Sequence, residues 1–301
     1  MQAPDCAVWH HDVGGDTPFS WIHVDLTREE TQTWIKSTFE KTVADHLLEP
    51  ETRPRYEPLG SGVLVNLRGV NLNEGSDIED MVSLRLWITD DMLITARLRK
   101  LRTVETLHER FESSGITSSW STLVALADGL TDRIATALAE MDDKVDMLEE
   151  VMFDRSPDIS QDVTVMRKQV IKLRRFVGPQ RVALTKISAD ERLSDKDTRF
   201  VFEAVNRATH NLESLDAGRD RLTILQEYLD AHQNAALGRN SYVLSVAAAI
   251  FLPLGFITGL FGVNVAGMPG IQSPMAFWLL CAGCTAIGLA LFLIFRWKRW
   301  L

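Results

Sequence analysis

The side chains best suited to handling a metal ion are scattered along this sequence. Near the N-terminus Cys6, His10 and His11 stand beside Asp5 and Asp12, a mixture of the sulfur, nitrogen and oxygen donors that zinc accepts. The segment is terminal, so a mobile stretch without a metal is the competing expectation. Glu140, Asp142, Asp143, Asp146, Glu149 and Glu150 form an acidic run that reads either as a solvated helix face or as a cation-attracting surface. His232 lies near Asp230 and Glu227, whereas His23, His46, His108 and His210 have no neighbour at a meaningful spacing. Cys281 and Cys284 share one helix face, where they serve as small packing residues. Asn264 offers a different chemistry. In a ring of copies its amide oxygens could contact or replace an ion's hydration shell without holding the ion fast.

The elements that position Asn264 are two runs free of charge. Ser241 to Phe261 and Met275 to Phe295, 21 residues each, contain no Asp, Glu, His, Lys or Arg. Each is long enough to cross a bilayer as a helix. The uncharged, Gly- and Pro-rich stretch from Gly262 to Pro274 makes a short loop between them. Arg239 precedes the first run and Arg296, Lys298 and Arg299 follow the second, so both termini are expected on the cytoplasmic side. Trp278, Trp297 and Trp300 suit the interfaces.

Steps of three or four residues along the first run trace Ser241, Ser245, Ala248, Leu252, Gly255 and Gly259, a stripe of mostly small side chains. The opposite side carries Val243, Val246, Ile250, Leu254, Ile257 and Phe261. The small stripe fits either close helix packing or a pore wall. Pro253 removes one backbone donor, and a bend is expected there.

Net charge is −9 over 301 residues. The residues after 238 carry four basic and no acidic groups, leaving 28 basic against 41 acidic before them, or −13. That balance argues against nucleic acid as a partner and for attraction of cations. Three Cys, two of them within the second apolar run, provide no disulfide framework. The first residues lack the basic and apolar regions of a signal peptide. No nucleotide-binding loop, nucleophile elbow or metal-hydrolase motif occurs, and no enzyme or cofactor is expected.

Residues before 238 predict an α+β domain of α/β/α type. Strands are expected at Phe19–Leu26, Arg55–Leu59, Gly62–Asn71, Met81–Ile88 and Met92–Arg97, with Asp90 and Asp91 turning a hairpin. A Thr27/Glu30 capping box should open a helix reaching about Phe39, followed by a short helix over Val43–Leu48. Helices then follow over Leu101–Glu112, Ser119–Phe153, Ser160–Val177 and Pro179–Ser188. From a cap at Ser194 the helical rhythm runs unbroken into the first apolar run. A helix from Ser194 to Phe261 would extend roughly 100 Å, more than one small domain can support, which implies a stalk braced by copies of itself.

A cytosolic α/β domain, a very long helix entering a membrane segment, the loop entry Phe261-Gly262-Val263-Asn264 with Met268-Pro269 after it, a second segment and the tail RWKRWL together resemble the CorA metal ion transporter family. Leu67-Arg68-Gly69-Val70-Asn71 and Met81-Val82-Ser83-Leu84-Arg85, with Phe261 and Val263 where the magnesium branch has Tyr and Met, are similar to the zinc-transporting ZntB branch. The resemblance implies a homopentameric funnel with the first membrane helix around a central pore and the second outside it. The small stripe then becomes the pore wall, and the family's pore positions fall on Ser241, Leu244, Ala248, Leu252, Gly255 and Asn264. The corresponding division is 1–190 for the cytosolic domain, 191–240 for the stalk, 241–263 for the pore helix, 264–274 for a periplasmic loop and 275–301 for the second helix and tail.

The implied activity is uptake of Zn²⁺, with Cd²⁺, Ni²⁺ and Co²⁺, across a bacterial inner membrane. No His lies in the spans and Cys281 and Cys284 belong to the outer helix, so selection by dedicated soft ligands is not expected. Inward movement of two charges down 100 mV gains about 4.6 kcal/mol. The zinc branch is described as proton-coupled. No titratable carboxylate or imidazole lies between Ser241 and Phe295, so a coupling proton is handled in the cytosolic domain or coupling is absent. A Mg²⁺/Co²⁺ channel and a membrane-anchored sensor or scaffold are the alternatives.

Overall fold

The structure, a computed structural model, describes residues 4–14, 18–153, 159–263, 270 and 273–297. Its contacts separate two units, residues 1–226 and 227–301. The boundary falls within one long helix.

The first unit is built on a six-stranded sheet of β1 (Ala7–Val13), β2 (Phe19–Asp25), β3 (Arg55–Leu59), β4 (Gly62–Gly69), β5 (Val82–Ile88) and β6 (Met92–Arg97), in spatial order β1-β2-β6-β5-β4-β3. Only β2 and β6 run parallel; the other neighbours are antiparallel. Alternation along each strand divides its apolar side chains between two cores. Leu64, Trp87, Ile22, Ile94 and Ala96 meet Ile35 of α1 (Glu29–Thr38) and Val43 and Leu47 of α2 (Lys41–Leu48). On the other face Val63, Val65, Leu67, Leu84, Leu86 and Leu93 meet α3 (Arg102–Glu109), α4 (Ser119–Phe153), α5 (Ser160–Ser188) and the first turns of α6 (Asp195–Gly262). The three layers are those the hydrophobic pattern requires.

The two stretches that resemble the zinc branch are neighbours, Arg68 opposite Ser83 and Asn66 opposite Arg85 in the β4/β5 ladder. Arg68 donates to the carbonyls of Met81 and Thr52, both at 2.6 Å, and Arg85 to that of Glu49 at 2.6 Å. These arginines tie loop carbonyls to the sheet and are structural. Burial pushes the Arg85 guanidinium down to about 10, with Arg68 adding repulsion. At the end of β4 a Cβ on Gly69 would lie 2.7 Å from Leu130 Cδ2 and 2.9 Å from Leu101 Cδ2, so a glycine is what lets α4 lie so close to the sheet.

Several local expectations are corrected. The N-terminal segment is the edge strand β1, paired with β2 from Ala7 to Val13, not a loose end. The Thr27/Glu30 capping box does not form: the Thr27 backbone N–H and hydroxyl both donate to Asp25 Oδ1, at 3.0 and 2.6 Å, and α1 starts at Glu29 without a side-chain cap. Asp25 wins because its carboxylate reaches two donors in a local turn. The expected division at Pro179 is absent. α5 continues through it, its buried face (Val170, Leu173, Val177, Gln180, Leu184, Ile187) outweighing one missing backbone bond, and Gln180 Oε1 accepts from the Arg68 N–H at 2.7 Å. β4 stops at Gly69 and β5 starts at Val82, one or two residues inside the expected limits.

Other local readings hold. Thr89 N–H donates to the Met92 carbonyl at 2.8 Å across the Asp90-Asp91 turn, and Trp120 Nε1 donates to Asp90 Oδ1 at 3.0 Å. Ser194 caps α6 by accepting the Asp197 N–H at 3.1 Å. From there α6 runs to Gly262, with Pro253 inside it, and its buried residues Val201, Ala204, Ala208, Leu215, Leu222 and Leu225 lie in the first unit.

Candidate functional site

The second unit holds the end of α6 and α7 (Met275–Trp297), the two helices long and apolar enough to cross a membrane. A Cβ on Gly288 of α7 would lie 3.8 Å from Leu254 Cδ1, so α7 rests on the Leu254 side of α6. Val246, Ile250, Leu254 and Ile257 are accordingly half-buried, and so are Cys281, Cys284 and Gly288 on α7. Ser241, Leu244, Ser245, Ala248, Leu252, Gly255 and Gly259 are all exposed and face away from that contact. The stripe read from sequence is thus the side that α7 leaves open. A small-residue seam used for packing within the chain would have been covered by α7, and it is not.

Three hydroxyls in the spans donate to carbonyls of their own helices. Ser245 donates to the Ser241 carbonyl at 2.8 Å, Thr258 to that of Leu254 at 3.0 Å and Thr285 to that of Cys281 at 2.8 Å. Gly262 ends α6, and Val263 beyond it is exposed. Asn264, Met268 and Pro269, like Lys298, Arg299 and Trp300, lie outside the described residues.

The acidic run sits on α4, and the structure supplies a partner that spacing did not reveal. Arg221 of α6 reaches Glu149 through Nε at 2.8 Å and Nη2 at 2.6 Å, contacts Asp146, and lies 3.7 Å from Asp142. One guanidinium therefore serves three of the carboxylates, while Glu140, Asp143 and Glu150 are exposed. Arg221 holds the Glu149 carboxyl below the usual range. Arg221→Ala is expected to cost about 1 kcal/mol, the scale of an exposed ion network. Because Glu149 has the depressed value, that contribution is present above its ordinary pKa and fades as pH falls through the folded one. The gap in melting temperature between variant and parent should be larger at pH 7 than at pH 4.

Cys6, His10 and His11 do not converge. Cys6 is buried, and as neighbours on β1 His10 and His11 point to opposite faces of the sheet. His10 lies 3.8 Å from Asp12, whose Oδ1 accepts from Ser20 at 2.6 Å. Among the described residues no group of three or more His, Cys, Asp or Glu side chains is arranged to hold a metal ion. His232 lies beside Tyr228, ring centroids 6.3 Å apart.

Sequence reasoning missed a cluster of rings where β1, β2 and α3 meet. Trp9 stacks on His108 at 4.2 Å and on His23 at 4.8 Å, and His11 Nε2 lies 2.8 Å from His108 Nδ1. His23 is fully buried, its Nδ1 2.8 Å from Thr95 Oγ1 and its Nε2 without a hydrogen-bond partner. Burial, with Arg97 nearby, pushes its pKa down to about 3. His11 is lowered as well, first by burial and then by His108. The alternation of Trp9 and His11 against His10 and Asp12 was the available signal for β1, masked by three polar residues in a row.

The comparisons agree with this architecture. The description "CorA-like Mg2+ transporter protein" matches residues 16–299. The chain is 34% identical to the zinc transport protein ZntB of Pectobacterium carotovorum over 279 residues, covering 91% of this chain and 85% of that protein. It is 36% identical to the divalent cation transporter CmaX of Pseudomonas aeruginosa over 290 residues, 93% of this chain and 87% of the other. The full-length CmaX structure superposes with a TM-score of 0.79, covering 95% of this chain and 90% of that one. At 17% identity the CorA magnesium transporter of Methanocaldococcus jannaschii shares the fold, with a TM-score of 0.76 over 94% of this chain and 92% of that one. With a two-helix apolar unit joined through α6 to a three-layer α/β/α unit, and with nearly its whole length matched, the chain belongs to the CorA family of metal ion transporters.

Proposed function

We propose that the chain is a divalent cation transporter of the inner membrane that takes up Zn²⁺, with Cd²⁺, Ni²⁺ and Co²⁺, through a pore formed by several copies of α6. The observation that carries this reading is the exposed stripe from Ser241 to Gly259 on the side of α6 opposite α7. Two helices cannot enclose water, so a conducting path needs further copies, and five is the number the family resemblance implies. Similarity to proteins named for zinc and for divalent cations supports the substrate class. The stripe carries no charge, His or Cys, which favours passage of several divalent ions over capture of one. Gly262, Val263 and Asn264 form the entrance in this reading, with the Asn264 amide recruiting the hydrated ion. Arg239 and Arg296 flank the spans on the cytoplasmic side, where both termini lie.

The test is an ion-flux panel with purified protein in liposomes, with and without a proton gradient. Asn264→Ala is expected to lower Zn²⁺ flux by roughly tenfold, the equivalent of about 1.4 kcal/mol on the barrier. Unchanged flux in that variant removes the amide from the mechanism, and a parent protein that carries no divalent ion overturns the transport reading.

A further inference from the structure

We infer that His11 and His108 form a chelating site for a borderline transition-metal ion, Zn²⁺ or Co²⁺, on the soluble unit and apart from the pore. The two residues are 97 positions apart in sequence, yet His11 Nε2 and His108 Nδ1 face each other at 2.8 Å, edge to edge. Two imidazole nitrogens bound to one tetrahedral ion at about 2.0–2.1 Å each stand about 3.3 Å apart. The pair therefore needs to open by about half an ångström, within reach of small side-chain rotations.

The surroundings hold the imidazoles for that purpose. Trp9 lies flat on His108, rings 8° from parallel, and Phe111 lies 4.5 Å from His11, centroid to centroid. The packed rings limit rotation of both ligands, so little order is lost on binding. Glu112, in the turn of 3-10 helix that follows α3, is exposed and exerts an electrostatic pull on His11. Water fills the positions that the two imidazoles leave open. In the neutral pair one ring nitrogen donates to the other. Binding moves that proton to the far nitrogen of the same ring, so the ion enters without net proton release. Nitrogen donors select Zn²⁺ and Co²⁺ over Mg²⁺, which prefers oxygen and keeps its water.

This site does not depend on the transport reading, and its test uses no flux. Full-length protein in detergent, stripped with a chelator, is titrated with Co²⁺ in millimolar Mg²⁺, following visible ligand-field absorption and tryptophan fluorescence. The parent is expected to bind one equivalent per chain that quenches Trp9, and both His11→Ala and His108→Ala lose it. His108→Gln keeps a hydrogen-bonding side chain against His11 and guards against misfolding; it too should lose the equivalent, whereas His10→Ala keeps it. A parent with no such equivalent, a His108→Gln protein that binds as the parent does, or full displacement by Mg²⁺ overturns the inference.

Discussion

Phe in place of Gly255 is expected to reduce Zn²⁺ flux by at least about tenfold, a barrier increase of about 1.4 kcal/mol, without unfolding the protein. Gly255 is exposed, and a Cβ there meets nothing within 4 Å, so the single chain accepts the larger side chain. The helix backbone gains from the change, since glycine costs up to about 1 kcal/mol in a helix interior relative to better helix formers. A loss of flux must then come from what Gly255 faces in the assembled transporter. One ring per copy would meet at the axis and close a narrow path by filling it with apolar bulk. Leu289 provides the control. It is 59% exposed on α7, which the proposed assembly places outside the pore, so Leu289→Phe should transport as the parent does. Equal flux in the two variants, measured as initial uptake into liposomes, would place the small stripe elsewhere than on the pore.

Acid is expected to destabilise the first unit well before its carboxylates protonate. His23 has a folded pKa of about 3 against about 6.5 when unfolded, and His46, lowered chiefly by burial and then by Arg55, has a value of about 4. Both are neutral in the folded state at pH 5, whereas the unfolded chain takes up protons. Stability is therefore complete above about pH 6.5 and falls as pH is lowered towards the folded values. For His23 alone the loss by pH 4 is about 3 kcal/mol, at about 1.36 kcal/mol per pH unit. His23→Phe isolates this contribution. His23 Nε2 has no hydrogen bond to lose, and Thr95 Oγ1 still accepts from Trp21 Nε1 at 3.0 Å. Full-length protein in detergent should show a melting temperature that falls from pH 7 to pH 4 in the parent and falls less in the variant. Parallel curves would mean that His23 is charged in the folded state.

How far the sequence foretold these features depended on the range of the forces involved. Charge-free runs and apolar alternation are local, and they revealed the two spans, the long α6 and five of the six strands with small errors at the ends. The stripe on α6 was equally visible, but only the position of α7 against Leu254 shows that it is not a seam for packing within the chain. β1 was missed because an edge strand needs little apolar alternation, and His10, His11 and Asp12 look like a solvated end. The Arg221 contacts and the pairing of His11 with His108 join segments more than 70 residues apart, and nothing in their local spacing announces them. Thr27 shows the opposite failure. A motif was present, but Asp25 two residues earlier competed for the same donors and won.

The commitment of the Ser245 proton to its own backbone has a bearing on valence. What this side chain turns outward is a pair of unshared electrons, with no hydrogen to offer, so in the proposed pore a halide passing Ser245 would find no donor there. If the proposed assembly conducts, discrimination by sign would then arise there from the direction of a dipole, beside a stripe that contains no ionised group.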